Sequence, residues 1–142
     1  MASGTKFYQF VEELGKATHN FPSHTCKAAL TNSAPSQSNT VFANITEISG
    51  GNGYTAGGNI CAYSSWSQSS GTAKLVLSDP TTWTASGGSI GPFRYVVLYN
   101  DTPTSPADPL IAYWDYGSSI TLASGETFTF DLDQVNGVLT LA

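Results

Sequence analysis

FRYVVLYN, residues Phe93–Asn100, is the strongest strand signal in the sequence. Its β-branched and aromatic side chains suit a pleated, buried surface, and turn chemistry brackets it, GGSIGP before and NDTPTSPADP after. The pattern predicts a strand crossing the centre of a sheet. LIAYWDY, Leu110–Tyr116, has the same character and is its expected partner. Between the two, Pro103, Pro106 and Pro109 predict a stiff, exposed loop, because proline cannot donate to a ladder.

Outward from this pair, short β segments alternate with turns at intervals of roughly 8–12 residues. Thr25–Thr31, Val41–Ile48, Ile60–Ser67, Lys74–Ser78 and Val138–Leu141 read as strands, and Thr82–Ala85 as a continuation past Pro80. In Lys74–Ser78, Leu75 and Leu77 fall on one face with Lys74 and Val76 on the other. Ser119–Leu122 and Glu126–Leu132 read as a hairpin around Ala123, Ser124 and Gly125, with Phe128, Phe130 and Leu132 alternating against polar neighbours. NSAPSQSNT, around Pro35, is a loop, and the glycine cluster Gly50–Gly58 is a turn.

Period 3.6 occurs near the start, where Phe7, Phe10, Val11 and Leu14 share one face and Tyr8, Glu12, Glu13 and Lys16 the other. Glu12 and Glu13 offer i,i+4 and i,i+3 partners to Lys16. The expected fold is therefore mostly β: an antiparallel β-sandwich or jelly-roll-like barrel of about eight or nine strands with one N-terminal amphipathic helix. Residues 1–24 form an arm and helix and 25–142 the β-sandwich, in a single structural domain overall.

At 142 residues the chain is long enough to bury roughly 68–70% of the surface it would expose unfolded. Its content is 40% hydrophobic but only 11% charged, so Ser, Thr, Asn and Gly supply the polar surface. Desolvating a hydroxyl or amide costs less than desolvating a charge, which suits a binding or assembly surface. A net charge of −5 gives no footprint for nucleic acid or an anionic membrane. The start, MASGTKFYQFVEEL, lacks the pattern of a signal peptide, which predicts synthesis in the cytoplasm and, there, two buried free thiols at Cys26 and Cys61.

Motifs for chemistry are sparse. GGNGYTAGG lacks the Lys-Ser/Thr ending of a phosphate loop. His19 and His24, with Cys26 nearby, do not make a zinc pattern, and a hydrolase would need one of those histidines and a GxSxG elbow. Trp66, Trp83 and Trp114 with Asp115, Asp131 and Asp133 could serve a sugar, while core aromatics and turn aspartates explain the same residues. No catalytic, cofactor or metal residue is expected.

In order, FVEELGKATHNF, KAALTNSAP, TEISGGNGYTAGG, KLVLSD, TASGGSIGPFRYVVLYNDTP, PLIAYWDYGSSITLASGETFTF and GVLTLA resemble a family of small structural proteins of tailed bacteriophages and prophages. The resemblance runs from Lys6 to Ala142 and lies in the order and extent of the phrases. It implies a non-enzymatic virion protein without a cofactor. As a capsid decoration or cement protein it would sit on the outer head surface, associate as a homotrimer and bind the major capsid protein across capsomers. The alternative is a minor tail or fibre-associated protein that meets a host glycan. For the assembly surface the candidates are Phe7, Tyr8, Phe10, Val11 and Leu14 on the helix, and the loops at Pro35 and at Pro103 and Pro106. Against this, an amphipathic helix commonly covers its own sheet, and the loops could be ordinary turns.

Overall fold

Burial runs unbroken through Val96–Asn100, where a half-exposed strand would alternate, because both faces of this strand are covered. The computed structural model describes residues 4–142. In chain order the elements are β1 (Thr5–Lys6), α1 (Tyr8–Gly15), β2 (Cys26–Thr31), a 3-10 turn (Phe42–Asn44), β3 (Asn59–Cys61), β4 (Tyr63–Ser69), β5 (Thr72–Leu77), β6 (Trp83–Thr84), β7 (Ile90–Asn100), β8 (Leu110–Leu122), β9 (Thr127–Phe128) and β10 (Leu139–Leu141). Among the described residues the architecture is mostly antiparallel β with one short helix, in three open sheets ordered β1-β8-β7-β2-β3, β10-β5-β4 and β6-β9.

FRYVVLYN does lie centrally, with β2 on one side and LIAYWDY on the other: Val97 pairs with Ala29 and with Tyr113. One face of this sheet brings Ala28, Leu30, Val96, Leu98, Ala112 and Trp114 into a core shared with Leu75, Leu77 and Leu139 of the second sheet and Trp83 of the third. The opposite face, with Ala29, Val97, Tyr99 and Leu110, is closed by Phe7 and by Phe42, Ile45 and Tyr113. Phe42 stacks flat on Tyr99 at 4.1 Å.

Several segments depart from the sequence pattern for identifiable reasons. Val41–Ile48 is not a strand. The Asn44 side-chain oxygen accepts the N–H groups of Thr40 and Val41 at 3.0 and 3.2 Å, taking donors a ladder would need, and only single bridges remain, Val41 to Pro109 and Thr31 to Glu47. Ser119–Leu122 does not open a hairpin. It prolongs β8, pairing Ile120 with Phe93 and Leu122 with Ile90, while Thr127–Phe128 pairs with β6. The burial alternation of that second arm nevertheless holds, with Phe130 and Leu132 buried and Thr129 and Asp131 exposed. Trp83–Thr84 leaves β5 for the separate two-stranded sheet. Val76 is buried along with Leu75 and Leu77, and Pro109 is buried although its loop was expected to be exposed.

The glycine cluster is a turn pinned from within. Glu47 accepts the Tyr54 hydroxyl at 2.6 Å and the Gly57 N–H, and Tyr54 in turn accepts the Leu30 N–H at 3.0 Å. At Gly58 φ is +81°, and a Cβ would stand 1.9 Å from the Ala28 carbonyl oxygen, so only glycine lets the loop close onto β2.

Candidate functional site

The helix is only eight residues, has no side-chain N-cap, and holds because its apolar side is anchored. Phe7 and Phe10 are fully buried in this chain's own core and Leu14 is half-buried against it. Three of the five helical candidates are thus committed inward, as in the reading of a helix that covers its own sheet. Tyr8 and Val11 are left outward, 66% and 50% exposed. Glu13, expected on the solvent side, is buried. Its carboxylate accepts Thr18 Oγ1 and Gln9 Nε2, and these bonds, Thr18 first, hold its pKa below the usual value. Glu12 keeps the i,i+4 pair with Lys16.

Tyr8 and the loop candidates belong to one strip. The Tyr8 N–H donates to the Gln37 carbonyl at 3.0 Å, and Gln37 Nε2 donates to the Lys6 carbonyl at 3.0 Å. Farther along the same loop, the Leu110 N–H donates to Thr40 and the Phe42 N–H to Asp108, at 3.1 and 2.9 Å. The start of the helix, the Pro35 loop and the loop of Pro103 and Pro106 are therefore laced edge to edge over the second face of the large sheet. Pro35, Pro103 and Pro106 are each half-buried within it. The middle segment of this strip, Ala28 to Thr46, carries no charged residue, while Lys6 and Glu12 lie at the helix and Asp101 and Asp108 in the proline loop.

A second feature arises from a bulge. Between the pairs Tyr95–Asp115 and Phe93–Ile120, β8 carries extra residues, with Gly117 at φ +104°. Asp115 is fixed there by Arg94 through two bonds of 2.8 and 3.0 Å and by the Gly117 N–H at 2.8 Å. The Arg94 guanidinium, foremost, holds the Asp115 carboxyl below its usual range. The bulge turns Tyr116 outward, 56% exposed, with its ring edge-to-face on Phe128 at 5.7 Å. A cleft of about 340 Å³ opens between β8 and Phe128–Asp131, floored by Val96, Trp114 and Phe130. A larger recess of about 490 Å³, lined by Gly4, Lys6 and Asn136–Thr140, offers the Lys6 ammonium, which is bonded to the Thr140 carbonyl.

Of the sugar candidates, the structure brings Trp114, Asp115 and Asp131 to the cleft and leaves the others elsewhere. Trp83 and Trp114 are buried, so neither offers an open ring face, and Trp66 packs on Phe21 at 5.3 Å. Asp133 is bound into its own turn, accepting the Val135 and Asn136 N–H groups. Tyr116 was missed by looking for tryptophan. The available signal was Gly117, which interrupts the aromatic run where a bulge re-aims its neighbour.

His19 and His24 meet at Asn100. The Asn100 side-chain oxygen accepts the Thr102 N–H at 3.2 Å, which turns its NH₂ toward both rings, 3.2 Å from His19 Nδ1 and 2.9 Å from His24 Nδ1. With the amide NH₂ donating, both imidazoles accept at Nδ1, which puts the His19 proton on Nε2. Burial, first, with His24 adding to it, brings the His19 pKa down to about 4 against the pull of Glu13. This is a polar latch between the segment after the helix and the end of β7. Cys26 and Cys61 are free, buried register partners on β2 and β3, and burial pushes the Cys26 thiol up to about 12. Among the described residues no group of three His, Cys, Asp or Glu side chains could hold a metal ion, and no helix is long and apolar enough to cross a membrane. The chain matches no protein-family model, no curated protein and no solved structure.

Proposed function

We propose that this chain is a non-enzymatic structural protein of a phage virion, made in the host cytoplasm: a capsid decoration or cement protein that binds the major capsid protein on the outer head surface, self-associates as a homotrimer and stabilises contacts between capsomers. The observation that carries the reading is the strip, in which three segments far apart in sequence converge on one surface with Tyr8 and Val11 exposed on it, the middle segment from Ala28 to Thr46 carrying no charged residue. Such a surface gives many weak polar and apolar contacts whose strength comes from multivalency. The histidines support a non-catalytic role, since both Nδ1 atoms are occupied by the Asn100 amide. The net charge of −5 speaks against a direct nucleic-acid partner. For the finer fold we propose a sandwich with jelly-roll-like character, supported by the larger of the two core clusters, which residues of all three sheets share.

The test adds purified protein to expanded capsids that lack it and follows binding by sedimentation and electron microscopy. Saturable density repeated over the head lattice, lost in the Tyr8→Ser, Val11→Ser double variant, is the expected result. No binding by a folded sample overturns the decoration role. The second reading, a minor tail or fibre-associated protein, is favoured by the exposed cleft at Tyr116, and density at the tail would establish it.

A further inference from the structure

We propose that the cleft beside Tyr116 is a subsite for a neutral pyranose ring of an oligosaccharide. At about 340 Å³ it falls at the lower end of the roughly 300–1,000 Å³ range of small-molecule sites. Its two carboxylates are acceptors, the Asp131 carboxylate receiving no hydrogen bond among the described residues and Asp115 Oδ2 keeping a free lone pair beside its bond to Arg94, while the Tyr116 and Thr129 hydroxyls can donate or accept. A ligand rich in hydroxyls, which both donate and accept, meets the two carboxylates and the two hydroxyls alike, as a sugar does. An anionic sugar is disfavoured, because the neighbouring cation, Arg94, is committed to Asp115 through both a bidentate pair and a fixed geometry.

The aromatic wall selects shape. Tyr116, 56% exposed, stands at 68° to Phe128, so the two rings make a corner with an exposed aromatic side chain that suits the flat C–H side of a pyranose, whereas enclosing a quaternary ammonium would require a cage of several faces. The platform is also held in place. The bulge is tied by Asp115 to Arg94 on the neighbouring strand and to its own Gly117, and Phe128 is anchored edge-to-face on buried Phe93 at 5.0 Å. A ring held in this way loses little conformational freedom on binding.

The test is a nuclear magnetic resonance titration of the isolated full chain, without capsids, so that its outcome is independent of the decoration role. Maltotriose and chitotriose serve as neutral probes, and sialyllactose and tetramethylammonium as charged ones. At least one neutral trisaccharide should give saturable shifts at Tyr116, Phe128 and Asp131 with a dissociation constant of about 1 mM or tighter. Tyr116→Ala should weaken it about tenfold, with Tyr116→Phe close to wild type. Tyr116 is exposed, and unchanged β7 and β8 amide signals show whether the variant is folded. Absence of saturable binding by both neutral probes, tighter binding of either charged probe, or affinity indifferent to Tyr116→Ala each overturns the proposal.

Discussion

Single residues set limits here that neither composition nor periodicity reveals. Gly58 is one: the left-handed backbone and the Ala28 carbonyl 1.9 Å from a would-be Cβ act together. Gly58→Ala should cost roughly 2–4 kcal/mol, read as a lower denaturant midpoint at unchanged slope. His19 is another. Its folded pKa, about 4, lies below the 6.5 of the free side chain, so the unfolded chain takes up the proton first as pH falls. Its contribution is complete above pH 6.5 and is lost on the way down to about 4, on the order of 3 kcal/mol in all. The groups facing it are Glu13, which favours protonation, and His24, which opposes it. Denaturant unfolding at steps from pH 7 to pH 4 should therefore show a fall in stability that His19→Gln flattens; equal slopes in the two proteins would refute the latch.

At the level of elements, α1 shows how an amphipathic pattern divides between inside and outside. Phe10→Ser opens a hole between Phe21 and the His19 ring, and should cost about 3–5 kcal/mol or abolish folding. Tyr8→Ser with Val11→Ser should change stability by less than about 1 kcal/mol, and thermal melts of the two variants side by side separate the roles. The same distinction explains what could be read in advance. β7 and β8 were legible because their residue types are extreme, and burial on both faces makes the signal continuous. Val41–Ile48 misled because its apolar residues do line a core, but as a cover whose backbone donors Asn44 captures. β1 was invisible as a strand, since two residues carry no period, and although Thr82–Ala85 and Glu126–Leu132 contain β6 and β9, their pairing with each other depends on partners distant in sequence. The cleft was half legible: its acids stood in the sequence, whereas the exposed aromatic depended on a bulge. Amide exchange should follow the same hierarchy, slowest in Val96–Leu98 at the sheet centre and fastest in those short strands.

The molecule as a whole relies on packing rather than charge. Five basic and ten acidic residues make up the entire complement, and the ion pairs of Lys16, Lys27 and Arg94 are all solvent-accessible, so each contributes little and is screened by salt. The free energy of unfolding should change by less than about 1 kcal/mol between about 50 mM and about 500 mM NaCl. The consequence for assembly follows from the strip. With no charge from Ala28 to Thr46 and Tyr8 and Val11 exposed beside it, the contacts of that middle segment and of those two side chains are hydroxyl, amide and apolar, none of which salt weakens strongly. If that strip is what meets the shell or a neighbouring copy, occupancy of capsids should persist across the same salt range and fall with the Tyr8→Ser, Val11→Ser variant. Occupancy that collapses with salt while the free protein stays folded would instead place the contact on the charged positions, Lys27 and Asp101 or Arg94 and Asp115, and move the binding face away from the helix.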